Sequence, residues 1–144
     1  MKVWAYIHPQ LNILCRALLQ EAIPKNVNAV EFEVESADDI ILDNGTIRVK
    51  TYEEKLNELK QQKLTQLKSY VADKLSQTDY IITKISEAQL LNDTEQVEAL
   101  KQKYSLQLQE RENIRDWNEK MKQAIKNAAT IEELNSLEIK FEET

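Results

Sequence analysis

The residues best suited to catalysis in this chain are its only histidine, His8, and its only cysteine, Cys15. A Ser-His-Asp or Cys-His arrangement needs the histidine as its base, and His8 precedes Pro9 in a segment typical of a turn. The two residues are close in sequence, but closeness in sequence does not by itself form a dyad. We therefore expect a structural or solvent-facing His8, no catalytic residues and no enzymatic activity.

The sequence also has few residues that could bind a metal ion or a cofactor. A structural zinc site takes about four Cys and His ligands, and this chain has two such residues. Asp38, Asp39 and Asp43 could offer oxygen ligands to Ca²⁺, but they lack the regular alternation and the distant Glu of a calcium loop. Because Gly45 is the only glycine, a glycine-rich phosphate loop is excluded. The sequence predicts neither a metal site nor a bound cofactor.

More distinctive polar and aromatic residues occur in the second half, at spacings that would let them meet across two paired helices. They are Asp79, Tyr80, Glu87, Tyr104, Arg111, Arg115 and Trp117. In the structural interpretation the aromatic rings lie in or beside the core, and the two acids pair with the two arginines to fix the register of the helices. A ligand site is the alternative, and we favour the structural interpretation.

The composition limits the class of protein. Of the 144 residues, 42% are hydrophobic and 31% are charged, and the net charge is −6. Such an acidic balance does not offer the clustered basic surface that nucleic-acid binding requires. No run approaches the roughly 20 apolar residues of a membrane span, and the first residues lack the pattern of a signal peptide. We expect an intracellular product that binds neither nucleic acid nor membranes.

The first 50 residues predict a small antiparallel β-rich part. Alternating apolar residues indicate strands, while the segment 11–19 could form a strand or a short helix. Asn44-Gly45 between two apolar runs predicts a β-hairpin, because this pair adopts the positive φ angles of a tight type I′ turn. The predicted strands cover 2–7, 27–34 and the two arms of the hairpin within 40–49.

From residue 51 onward the apolar periodicity is helical. Thr51 and Glu54 have the spacing of a capping box, and apolar residues then recur three and four apart to about Leu91. Two further boxes are Asp93 with Gln96 and Thr130 with Glu133, the latter backed by Ala129 and Leu134 as a hydrophobic staple. The sequence therefore predicts an antiparallel helical hairpin over 53–90 and 94–127, and a short terminal helix.

The predicted fold is thus α+β, with a β-rich part over 1–50 and a helical hairpin over 51–144. The first helix would extend on the order of 60 Å. Its apolar stripe is narrow, which favours coiled-coil-like pairing with partner helices or with a second copy of the chain. The segment 76–79 could itself cap a new helix and kink the first one.

Three parts of the second half resemble a helical module of tailed-bacteriophage proteins. They are Gln77-Thr78-Asp79-Tyr80-Ile81-Ile82-Thr83-Lys84-Ile85-Ser86-Glu87-Ala88, then Tyr104 with Arg111 and Arg115, then Ala124-Ile125-Lys126-Asn127-Ala128-Ala129-Thr130-Ile131-Glu132-Glu133-Leu134. In phage tail-fibre, tail-assembly and related small tail proteins, a Thr-Asp-aromatic sequence followed by Lys and Glu begins this module. An Arg-rich return helix then leads to an Ala-Thr-x-Glu-Glu-Leu ending. The resemblance spans about residues 64–138, with Tyr80 in place of the usual Trp and no Pro in the 91–93 connection.

The resemblance implies a structural or attachment protein that is made in the host cytoplasm and joins the virion tail, with other tail or tail-fibre proteins as partners and no catalytic residues. The β-rich part would serve in docking, and the helices in oligomerisation or in binding a neighbouring fibre. A transient chaperone of tail-fibre assembly is one alternative. A coiled-coil adaptor unrelated to phage is the other.

Overall fold

The computed structural model describes residues 1–143, in which five strands precede five helices. The strands are Lys2–Ile7 (β1), Leu14–Ala17 (β2), Val30–Glu33 (β3), Ile40–Asp43 (β4) and Thr46–Val49 (β5). The helices are Tyr52–Ser76 (α1), Asp79–Leu90 (α2), Thr94–Lys103 (α3), Ser105–Asn127 (α4) and Ile131–Ser136 (α5). The α+β prediction is confirmed. The chain divides into two compact units, one over Met1–Lys55 and one that starts at Leu56.

The first unit is built on two antiparallel sheets, β2-β1-β3 and β4-β5. In the first sheet Val3 lies opposite Phe32, and Ala5 lies opposite both Arg16 and Val30, so these side chains share one face. Val3, Ala5 and Ile40 are fully buried in the core below that face. Burial of this face of β1 explains the spacing of Val3 and Ala5 in the sequence. The ambiguous segment 11–19 contains the strand β2.

Two turns of this unit depend on residues that accept a positive φ. Asn44 and Gly45 have φ values of 49° and 81° between β4 and β5, as the type I′ prediction requires. In the β1–β2 turn Asn12 has a φ of 53°. There the His8 Nδ1 atom accepts hydrogen bonds from the backbone N–H groups of Gln10 and Leu11, at 3.2 and 3.1 Å. His8 thus has a structural role in shaping the turn.

The start of α1 carries the predicted capping box. The Glu54 N–H donates to Thr51 Oγ1 at 3.2 Å, and the Thr51 N–H donates to Glu54 Oε1 at 3.1 Å. Arg48 at the end of β5 adds a bidentate contact, with N–O distances of 2.7 and 3.1 Å to the same carboxylate. The two capping-box hydrogen bonds satisfy backbone donors that a helix start leaves without partners, and the Arg48 ion pair holds the Glu54 carboxylate in place.

The two long helices of the predicted hairpin are each interrupted once. The break in the first lies in the segment 76–79, where the sequence allowed a new helix to start, whereas the prediction of a continuous second helix over 94–127 is wrong. The first interruption lies at 77–78, where the N–H and the hydroxyl of Thr78 both donate to the Leu75 carbonyl. A threonine that binds a carbonyl of the preceding turn competes with the helical hydrogen bonds. The second lies at Tyr104, between α3 and α4.

The connection between α2 and α3 ends the first arm without proline or glycine. Asn92 adopts a left-handed φ of 55°, and its N–H donates to the Gln89 carbonyl. The Asp93 N–H donates to the Ala88 carbonyl, which completes a Schellman motif, and the Asp93 carboxylate caps α3 by accepting from the Gln96 N–H. The chain therefore reverses within three residues, 91–93.

The helical unit has two apolar clusters. The base cluster comprises buried residues of α1, α4 and α5 with the neighbouring Ala128: Leu56, Leu67, Val71, Ile114, Ile125, Ala128 and Leu134. The tip cluster comprises buried residues of α2 and α3 with the neighbouring Tyr104: Ile81, Ile85, Ala88, Val97, Leu100 and Tyr104. Hence α1 packs against α4 and α2 against α3, as an antiparallel hairpin requires.

Candidate functional site

Arg111 of α4 crosses to the interruption between α1 and α2. Its Nη1 atom lies 2.7 Å from the Leu75 carbonyl oxygen, 2.8 Å from Thr78 Oγ1 and 3.0 Å from Asp79 Oδ1. The residue is only 6% exposed, and its Nε atom is buried with no hydrogen-bond partner among the described residues. A buried guanidinium that binds a helix C-terminus and a carboxylate together fixes the register of the two arms.

Two tyrosines meet next to this contact. The rings of Tyr80 and Tyr104 pack edge to face, with centroids 5.9 Å apart and an angle of 88° between their planes. Lys84 Nζ lies 5.6 Å from the Tyr80 centroid and 5.7 Å from the Tyr104 centroid, and it donates to the Tyr104 hydroxyl at 3.4 Å. This arrangement combines aromatic packing with a cation–π contact at the junction of the arms.

The ammonium groups around Tyr104 also act on its ionisation. The hydrogen bond from Lys84 lowers the pKa of the Tyr104 phenol, and Lys103 lowers it further, while burial acts in the opposite direction. Positive charges stabilise the phenolate, so the direction follows from simple electrostatics. The cluster therefore makes the Tyr104 phenol more acidic than a free tyrosine.

The other residues singled out in the sequence take separate positions. Arg115 pairs with Glu112 of its own helix, with Nη1 and Oε1 2.6 Å apart. Glu87 is exposed on α2, near Lys84 and Lys103 along one shallow pocket. Trp117 packs its ring against two other aromatic rings of the base. The structure thus brings Asp79 to Arg111 and Tyr80 to Tyr104, but it brings Glu87 and Arg115 to neither contact.

The segment after α5, residues 137–143, returns along the helices and was not recognised as packed from the sequence. Leu137, Ile139 and Phe141 pack on the base cluster, and the Phe141 N–H donates to the Tyr70 hydroxyl at 2.9 Å. The Trp117 ring lies between those of Tyr70 and Phe141, with centroids 5.7 Å from each. We call this segment the tail. Its alternating apolar residues were the available signal.

A second missed feature is a groove of about 400 Å³ between α1 and α4. It is lined by Leu64, Lys68, Val71, Asn118, Lys122 and Lys126, and we call it the lysine groove. Lys122 pairs with Glu119 at 3.0 Å. Within residues 1–143, neither Lys68 nor Lys126 forms an ion pair. The signal in sequence is the spacing of the lining residues, four and three apart on α1 and four apart on α4.

No cluster of three or more metal-ligating side chains occurs in the described part of the chain. None of the helices within residues 1–143 is long and apolar enough to cross a membrane. The candidate functional sites are the Arg111 contact, the tyrosine pair and the lysine groove.

Comparison with protein-family models, with curated proteins and with solved structures gives no match for this chain. Its class is accordingly defined by the fold itself, an α+β chain with a small antiparallel β part and an interrupted helical hairpin.

Proposed function

We propose that this protein is a non-enzymatic structural or attachment component of a bacteriophage tail, which contacts other tail or tail-fibre proteins. The observation that carries the proposal is that residues of the motif hold the helices together. Asp79, Tyr104 and Arg111, which carry the resemblance to the phage module, all make contacts between helices. Motif residues engaged in this way support an architectural module.

Exposed apolar side chains support a role in protein contacts. Leu90 and Leu91 at the end of α2 are 82% and 79% exposed, and Leu106 at the start of α4 is 83% exposed. Single exposed leucines are common on protein surfaces, but two consecutive ones at the turn of a hairpin form an apolar projection. Such a projection suits insertion into a neighbouring protein.

Mass spectrometry of purified phage particles tests this proposal. Particles released from the host by the genome that encodes the chain should contain its peptides in a fixed ratio to the major tail protein. Peptides found only in tail-assembly intermediates would instead identify the assembly chaperone. Their absence from both fractions, with the protein present in the lysate, would contradict any tail function and favour the adaptor.

A matched variant sharpens the test. Replacing Leu90 and Leu91 by serine should reduce incorporation of the chain into particles, because it removes the apolar projection without touching the core. Replacing the exposed Gln102 and Gln109 by serine is the control and should leave incorporation unchanged. Equal incorporation of both variants would show that the leucines are not the contact.

A further inference from the structure

The lysine groove has the chemistry of a binding site for a peptide segment. Its floor is apolar, with Leu64 half-buried and Val71 buried. Lys68, Lys122 and Lys126 also line the groove, and no acidic residue among positions 1–143 does. Lysine stems extend the apolar surface while the charged ends remain in water. The groove thus offers apolar contact at its centre and positive charge at its margin.

This local positive charge contrasts with the rest of the chain, whose net charge is −6. Three lysines with one neutralising partner, Glu119, leave an excess of positive charge at the groove. The phosphates of a nucleic acid would pair with the lysines but would gain nothing from the apolar floor. An acidic segment with an apolar stripe fits both properties.

Asn118, which also lines the groove, gives further support for a ligand. Its Oδ1 atom is buried and has no hydrogen-bond partner among the described residues. A buried acceptor without a partner destabilises the free protein. A donor on a segment bound in the groove could satisfy this oxygen. Within residues 1–143, the lysine groove therefore contains a buried acceptor without a hydrogen bond, Asn118 Oδ1, and two lysines without an ion pair, Lys68 and Lys126.

The tail shows that this pair of helices can hold such a segment. It contacts α1 and α4 through alternate apolar residues, and Glu143 pairs with Lys74 of α1, with Oε1 and Nζ 3.5 Å apart. None of the residues that line the lysine groove belongs to the tail. The groove is thus a second surface of the same helix pair, with the same combination of apolar floor and lysine.

We propose that the lysine groove binds an amphipathic acidic segment of a partner protein. Its apolar side chains contact Leu64 and Val71, and its carboxylates pair with Lys68, Lys122 and Lys126. On α1, Leu64 and Val71 are about 10 Å apart at 1.5 Å per residue, which matches two turns of a bound helix with apolar residues at i, i+3, i+4 and i+7. This inference rests on the proposed role in protein contacts, but not on the phage assignment.

The test measures binding of fluorescein-labelled synthetic peptides to the full chain by fluorescence anisotropy. The first peptide has leucines at i, i+3, i+4 and i+7 flanked by glutamates. The second has lysines in place of the glutamates, and the third has the composition of the first in scrambled order. We expect saturable binding of the first peptide below about 1 mM and at least tenfold weaker binding of the other two.

Charge reversal locates the site. The triple variant K68E/K122E/K126E should weaken binding of the first peptide about tenfold, since three exposed ion pairs are lost. The control variant K25E/K101E/K120E carries the same change in net charge at exposed lysines outside the groove, and it should bind within about twofold of the unaltered chain. Circular dichroism melts of both variants check that they fold.

Several outcomes would overturn the inference. They are no saturable binding of the first peptide, equal binding of the lysine peptide, equal losses in the two triple variants, or tighter binding of a single-stranded DNA oligonucleotide than of the acidic peptide. Failure in this assay, with the chain still incorporated into phage particles, would leave the proposed tail function standing. The two failures are therefore distinguishable.

Discussion

Arg111 concentrates several contacts on one side chain. A single guanidinium nitrogen reaches a carbonyl at the end of α1, the hydroxyl of Thr78 and the carboxylate at the start of α2. Arg115, one turn later on the same helix, is half-exposed and pairs with Glu112. The two arginines carry the same charge, but only Arg111 is buried, so its contacts should contribute more to stability than those of Arg115.

Replacing Arg111 by methionine should therefore lower the free energy of unfolding by about 2 kcal/mol, because buried charge-assisted hydrogen bonds are lost. Replacing Arg115 by methionine should change it by less than about 0.5 kcal/mol, since its ion pair is exposed. Urea denaturation followed by circular dichroism measures both. Equal effects would mean that the Arg111 contact does not hold the two arms together.

Glu54 is more acidic in the first unit than an ordinary glutamate. The hydrogen bonds from Arg48 and then from the Thr51 N–H lower the pKa of Glu54 to about 2 from its ordinary 4.5. A carboxyl whose pKa is depressed in the folded state stabilises the fold fully above its unfolded pKa. That contribution is lost as the pH falls through the folded pKa, here between about 4.5 and 2.

The variant Glu54→Gln should accordingly melt at a lower temperature than the unaltered chain at pH 7, and the difference should shrink as the pH falls from about 4.5 to 2. Glu53→Gln, an exposed neighbour in the same helical turn, is the control and should show no such convergence. Thermal melts at several pH values measure it. A constant difference down to pH 2 would rule out the Arg48–Glu54 pair as its source.

At the scale of elements, the tail completes the base of the hairpin. The apolar residues Leu137, Ile139 and Phe141 face the base cluster, whereas the residues between them are exposed. The sequence predicted a hairpin in need of partner helices. In the structure the chain itself supplies part of that covering surface.

Replacing the three apolar tail residues Leu137, Ile139 and Phe141 by alanine should lower the free energy of unfolding by about 3 kcal/mol, or about 1 kcal/mol for each partly buried side chain. The variant E138A/K140A/E142A is the control and should change it by less than about 0.5 kcal/mol. Chemical denaturation distinguishes them. A loss shared equally by both variants would mean that the tail does not pack by alternate residues.

Local features were predictable because their causes are local. The Thr51–Glu54 box and the Asn44-Gly45 turn each depend on residues within four positions of one another. The interruption at Thr78 involves Arg111, 33 residues away in sequence, and no local pattern indicates such a contact. For the same reason the sequence singled out Asp79 and Arg111 as candidates to meet, but it could not choose between Arg111 and Arg115.

At the scale of the whole molecule, net charge and exposed leucines have opposite effects on self-association. The negative charge makes copies of the chain repel each other, whereas the exposed leucines favour their association. The isoelectric point is near 5.0, so the repulsion between copies of the chain falls as the pH approaches that value. Near that pH, association of copies through the apolar projection at Leu90 and Leu91 is therefore less opposed by charge repulsion. Solubility should pass through a minimum close to pH 5.

Replacing Leu90 and Leu91 by serine should raise the solubility at this minimum severalfold while leaving the melting temperature within about 2 °C, because both side chains lie outside the core. The glutamine-to-serine pair at 102 and 109 serves again as the control. Turbidity against pH measures the effect. Unchanged solubility in the leucine variant would assign association to another surface.

The tail is fixed by its side chains far more than by its backbone. Between residues 138 and 143 the backbone hydrogen bonds are a short-range one from Lys140 to Glu138 and the one from Phe141 to the Tyr70 hydroxyl. Amide hydrogens without such partners exchange with solvent quickly even where neighbouring side chains are packed. In deuterium oxide the tail should therefore label early, with Phe141 as its slowest amide, while the helices beneath it remain protected.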